Sequence, residues 1–241
     1  RNIYVALLRA IVEKVRSEPD YFMLDLERAM IAAIEEVIPR ADTVICSFHW
    51  KQCILREVSL KGLKTLMNNN NNFDTLVSLI YVLPYVPPRD LLTVWRVVIM
   101  AEYNAWKEQY PPAVKNYLDY IQRTYVGTKT RGPAFAHNAW SLYDRVLNDS
   151  KLTNNDIESF NSAFNGSSTK RPNVWQTVKA FQREETLADQ RVLELRRHEL
   201  TVEHRGRAQR LKEKQACIKE IVQSYNPDYI EDYFKALFQK V

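Results

Sequence analysis

Glycine is scarce in this chain, with five among 241 residues, and without glycine-rich stretches the sequence has no repeat or linker character. Cysteine is scarcer still. Three cysteines, odd in number and irregularly spaced, make no disulfide scaffold and point to a reducing interior. No stretch approaches the roughly 18 consecutive apolar residues of a membrane span, so no membrane partner is expected. The opening RNIYVALLRAIVEKV acquires Arg9, Glu13 and Lys14, which fits an amphipathic helix better than a secretory signal. What the chain does have is aromatic bulk: thirteen tyrosines, nine phenylalanines and five tryptophans within a 46% hydrophobic composition. That is material for one large domain or two small ones. A net charge of +5 and a pI near 9.0 bias it toward polyanionic partners.

Periodicity divides the chain unevenly. Ile3, Leu7, Leu8, Ile11 and Val15 recur at helical spacing and predict a helix ending before Pro19. YFMLD is a short apolar run of strand type, LERAMIAAIEEVI is helical up to Pro39, and TVICSFH is a second strand candidate. WKQCILREVSLKGL returns to helical spacing with Gly62 as its cap. Helix-strand-helix-strand-helix is the order of an open α/β layer with parallel strands. Beyond Met67 the pattern is almost wholly helical, with Asn68 to Asn72 as a loop, LPYVPP as a bend, and Pro111 and Pro112 opening a helix. GTKTRGP is a basic turn, HNAWSLYDRVLND a further helix, and a long helical pattern runs from Asn173 toward Ser224 with a break at Gly206. NPDYIEDYFKALFQKV closes the chain with an apolar stripe of Tyr229, Ile230, Tyr233, Phe234 and Leu237.

The candidate chemistry rests on carboxylates. Asp25 stands at the carboxyl end of a predicted strand, the edge at which ligands collect in open α/β sheets; the alternative is a simple cap for the following helix. Glu158 falls where an amphipathic helix begins, and its alternative is an ordinary first-turn glutamate favoured by the helix dipole. Together the two would offer hard oxygen ligands to Mg²⁺ or Mn²⁺. Cys46 and His49, three residues apart, have the spacing of zinc ligands, but a structural site needs four. The other cysteines are Cys53 and Cys217, and a mixed site would have to recruit His137. The alternative is a buried thiol beside a histidine that caps a strand. Lys129 and Arg131 beside Tyr125, and Lys170 and Arg171 before Trp175, place cations next to aromatics as a phosphate-tracking surface does. Either pair read alone is a solvated loop. Arg191, Arg196, Arg197, Arg205, Arg207 and Arg210 recur along the late helix, where a helical partner interface would look the same. Phe48, Trp50, Trp95, Trp106 and Phe160 are assigned to packing.

Asp25 ending YFMLD, the run ICSFHWKQ and the segment KLTNNDIESFNSAF together form a three-part pattern that resembles the catalytic region of Mutator-like element (MULE) transposases. The resemblance spans about Tyr4 to Glu185. It implies a partial RNase H-like fold, α/β with large helical content, comprising the later strands only and interrupted by an all-helical insertion. The expected parts are residues 1–66 with the second catalytic aspartate, 67–150 as the insertion, 151–185 with the catalytic glutamate, and a helical region over 186–241.

In that family two aspartates and a glutamate hold two metal ions for phosphoryl transfer on DNA. Asp25, within LDLERA, matches the second aspartate, and Glu158 matches the glutamate that follows paired asparagines, here Asn154 and Asn155. The Cys46–His49 element resembles a C-x-x-H feature that arranges DNA strands and catalytic groups, to which Gln52, one helical turn beyond His49, is added. Trp140 corresponds to the tryptophan of an aromatic stretch implied to contact DNA, here Phe135 to Trp140 at a slightly longer spacing. The resemblance implies double-stranded DNA as partner, Mg²⁺ or Mn²⁺ as cofactor and the nucleus as location. The first aspartate of the pattern has no counterpart in these residues. With Arg1 not an initiator methionine, the chain is read as a fragment whose missing strands are expected from a partner polypeptide or an equivalent copy. The expected function is cut-and-paste DNA strand cleavage and transfer, inactive in the fragment. The alternatives are a transposase-derived module that binds DNA or protein without chemistry, and an ordinary nuclease of the same fold.

Overall fold

The computed structural model describes residues 1–15, 17–153, 159–162, 164, 172–197 and 205–241, with backbone alone at 195, 205–208 and 211. They form an α-rich chain with a small parallel sheet. One compact unit comprises Arg1–Thr153 with Lys214–Val241, and a second comprises Asn154–Glu213. The expected division at residues 66 and 67 is therefore not a boundary of compactness, and the chain's last 28 residues belong with its first 153.

In the first unit, α1 (Asn2–Val12) turns Val5 and Leu8 onto Ala33 and Ile34 of α2 (Arg28–Val37). Phe22 and Leu24 of β1 (Tyr21–Leu24) pack into the same small core. β1 pairs in parallel with β2 (Asp42–Ile45), in register from Tyr21 opposite Asp42 to Leu24 opposite Ile45. A parallel ladder needs a crossover connection, and α2 supplies it. β2 is shorter than the expected TVICSFH because α3 (Ser47–Leu60) starts at Ser47, with Cys46 extended at its N-cap position. Helical phasing explains the early start, since Trp50, Ile54 and Val58 are buried at intervals of four residues. His49 thus sits in a first helical turn and not at a strand end. Gly62 follows α3 at φ +70°, a left-handed position that suits glycine.

A larger core encloses the helical body. The asparagine run is not the loop that its composition implies. α4 (Lys64–Asn69) and α5 (Asn71–Val82) meet at Asn70, whose side chain accepts a 2.9 Å bond from the Phe73 amide. The LPYVPP bend is two 3₁₀ turns, Leu83–Tyr85 and Pro88–Asp90. A π turn, Trp95–Ile99, joins α6 (Leu91–Val94) to α7 (Met100–Trp106). Pro112 opens α8 (Pro112–Ile121) as expected, and a second π turn carries it to Val126.

The predicted HNAWSLYDRVLND helix is two short helices, α9 (His137–Trp140) and α10 (Tyr143–Leu147). The Leu142 amide leaves the helical ladder to donate 2.7 Å to the Pro84 carbonyl. α11 (Val174–Arg196) and α12 (Arg205–Gln223) fall within the long late helical pattern, and Gly206 lies inside α12, so the helix does not break there. Ile218 and Val222 of α12 join the larger core with four buried residues of α13 (Ile230–Phe238), while Tyr229 stays exposed. In the second unit, Phe164 packs between Phe160 and Phe181.

Candidate functional site

The two strands end side by side, and that geometry builds the site. The Cys46 amide donates 3.1 Å to the Leu24 carbonyl, which continues the ladder one residue beyond β2 and sets Cys46 beside the residue preceding Asp25. From there the β1–α2 turn and one face of α3 diverge and enclose a groove of about 880 Å³. Asp25, His49 and Gln52, expected from separate parts of the sequence, all line it. α3 is amphipathic in a consistent way: His49, Gln52, Cys53, Arg56 and Ser59 face the groove, and Trp50, Ile54 and Val58 face the core. Both helices that open at the groove, α2 and α3, present their N-terminal turns to it.

The groove's electrostatics are mixed. Asp25 and Glu27 are its acids, Arg28 and Arg56 its cations. Glu27 is engaged, since the Tyr4 hydroxyl donates to its two carboxylate oxygens at 2.9 and 3.1 Å. That hydrogen bond, with the carboxylate's charge, holds the Tyr4 phenol above its ordinary pKa. The Arg28 guanidinium lies 5.0 Å over the Phe135 ring, whose other neighbour is Tyr125, stacked at 5.9 Å. Burial pushes the Cys53 thiol up, and the neighbouring Arg56 charge opposes that shift.

Arg145 fixes the neighbourhood from behind. Its Nη1 donates 2.8 Å to the Ile45 carbonyl and its Nη2 donates to the Lys151 carbonyl. Burial pushes this guanidinium below its ordinary value. The Ser47 amide donates 2.9 Å to the Leu152 carbonyl. Residues 151 and 152, six or seven positions before Glu158 in sequence, are thereby tied to the turn between β2 and α3. Arg145 was not singled out from the sequence; a lone arginine in a short helical pattern gives no signal of the two backbone carbonyls it spans.

The remaining expected residues divide. Cys46 is fully buried at the strand end. Lys129 and Arg131 are exposed on the turn after Gly127, away from the groove lining. Trp140 requires a correction: it is 0% exposed, stacked on Trp50 at 4.8 Å and met edge-on by Tyr125, so it is a core residue and presents no face to DNA. Trp50 and Trp95 are buried as expected for packing, whereas Phe48 is 45% and Phe160 43% exposed, the latter stacked on Phe164. Glu158, Asn154, Asn155, Lys170 and Arg171 lie outside the described residues.

Among the described residues, no three His, Cys, Asp or Glu side chains converge as metal ligands. The mixed zinc site with His137 is thus not formed, and the His137 Nε2–H instead donates 2.9 Å to the Val126 carbonyl. No described helix is long and apolar enough to cross a membrane. Comparison with protein-family models, curated proteins and solved structures finds no match to this chain.

Proposed function

We propose that this chain carries the second-aspartate and glutamate portions of an RNase H-like DNA-processing domain of the MULE transposase type. The observation that carries this reading is the convergence of Asp25, His49 and Gln52 in one groove at the carboxyl ends of two parallel strands. In open α/β sheets that end of the strands is where ligands bind. The groove's cations and neutral hydrogen-bonding groups suit a nucleic-acid strand better than an apolar ligand.

The described residues do not by themselves fit a two-ion site, because Asp25 stands there without two further ligands. No catalytic step is therefore derived. In this reading Glu158 supplies one further carboxylate, and the nucleus is where the protein works. The alternative reading is a transposase-derived module that binds DNA without chemistry.

The test is titration of labelled duplex DNA with and without Mg²⁺, followed by a plasmid-nicking assay. Binding that weakens steeply with salt is expected, with no nicking by this chain alone. Mg²⁺ should strengthen binding by the wild type and not by Asp25→Asn. An equal Mg²⁺ response in both proteins assigns the chain to the non-catalytic reading. Nicking that is lost in Asp25→Asn overturns the expected inactivity, and failure to bind DNA at all overturns the proposal.

A further inference from the structure

Arg28 enters the sequence pattern only as an unassigned position of LDLERA and Arg56 does not enter it at all, yet both line the Asp25 groove. Arg28 opens α2, and Arg56 lies two helical turns beyond His49 on the groove face of α3. Both are exposed, and among the described residues neither has a carboxylate partner within 4 Å. Two guanidinium groups left without acids inside one concavity are unusual beside Asp25 and Glu27, since pairing would neutralise them at little cost. Glu27 is instead occupied by Tyr4.

The rest of the lining narrows the ligand. Gln52 and Thr124 offer neutral donors and acceptors, and the stacked Tyr125, Phe135 and Arg28 make a flat cationic-aromatic tier. From His49 to Ser59, the groove face of α3, polar apart from Cys53 and Leu55, is about 15 Å long at 1.5 Å per residue. A bare phosphate would fill only a small part of about 880 Å³. An acidic peptide would leave the aromatic tier unused.

We propose that Arg28 and Arg56 are phosphate-binding residues that hold a single DNA strand along α3, with an unstacked base against the Arg28–Phe135 tier. The assignment rests on the DNA-processing reading above and gives it a defined track. Arginine suits the role because its planar donors grip phosphate oxygens while its face stacks on rings. Asp25, at the end of this track, repels the strand when no metal is bound.

The experiment is fluorescence anisotropy of a labelled single-stranded DNA 12-mer, with its duplex as comparison, in metal-free buffer. Arg28→Gln and Arg56→Gln should each weaken single-strand binding about tenfold, as for loss of a charge-assisted contact. Each should also reduce the salt slope by about 0.7. Asp25→Asn should tighten binding, and Arg96→Gln, an exposed arginine outside the groove, should leave it unchanged. Circular dichroism would verify that each exposed substitution leaves the fold intact. Affinities of Arg28→Gln and Arg56→Gln within twofold of wild type, or an equal loss in Arg96→Gln, overturn the groove assignment. A wild-type protein that binds duplex but not single strand overturns this inference alone, whereas one that binds neither overturns the proposed function as well.

Discussion

Trp140 is enclosed, with Trp50 stacked on it at 4.8 Å and nearly parallel, and Tyr125 and His137 meeting it edge to face. Its contribution is burial. Trp140→Ala should lower unfolding free energy by about 3 to 5 kcal/mol, read as a shift in the urea midpoint. A midpoint within 1 kcal/mol of wild type would mean that the tryptophan pair does not hold the core. Position before a candidate glutamate says nothing about which side of a helix meets solvent, which is why the sequence leaves this residue open to a DNA role. Asp25 is the opposite case. An apolar run of four residues ended by a carboxylate is a strand-end signal that survives in the structure, where Asp25 is exposed at the mouth of the groove. Arg28 and Arg56 could not be found in the same way, because exposed arginines on amphipathic helices are common and only the shared groove reveals the pair.

Gly127 shows how an element boundary depends on a backbone geometry that composition only hints at. It stands at φ +81° and ψ −168°, a region open in practice to glycine alone, and ends the π turn that extends α8. A Cβ there would lie 2.9 Å from the Pro133 ring and 3.0 Å from the Arg131 carbonyl. Both neighbours belong to the basic turn whose Thr128 amide donates to the Arg131 carbonyl at 2.7 Å. Gly127→Ala should therefore destabilise the protein by about 2 kcal/mol or more. Hydrogen exchange should show faster amides at residues 128 to 135 before any loss in α3; unchanged protection there would refute the constraint. Helical spacing made α2, α8 and α13 legible, since each has one apolar face against one core, and it placed α1 as well, although Val5 and Leu8 are buried there while Ile3, Leu7 and Ile11 stay exposed. The junctions at Asn70, Ser47 and Leu142 were not legible. Each is decided by a single hydrogen bond or by the phase of buried residues, and in the last case by a carbonyl nearly sixty positions away.

At the scale of the whole first unit, the aromatic bulk noted in the composition becomes an alkaline limit on stability. Burial pushes the Tyr81 and Tyr85 phenols up to about 12. It raises Tyr117, Tyr125 and Tyr233 further still. Tyr225 is raised by burial together with the bond that its hydroxyl donates to Asp90 at 3.0 Å. These residues come from α5, α8, the two turns that follow those helices, the turn after α12, and α13, so they bind together segments far apart in sequence. A folded phenol of raised pKa keeps its proton where the unfolded chain releases it. Above the ordinary value near 10 the unfolded state therefore binds fewer protons, and stability falls as pH rises. The contribution is complete below pH 10 and is lost progressively toward pH 12. Titration followed at once by tyrosinate absorbance near 295 nm and by far-ultraviolet circular dichroism should show part of the phenolate signal appearing only with the loss of helix, in one cooperative step between pH 10 and 12. Full ionisation of all thirteen tyrosines with the helical signal intact would mean that these hydroxyls are open to solvent and that the aromatic core is not closed as described.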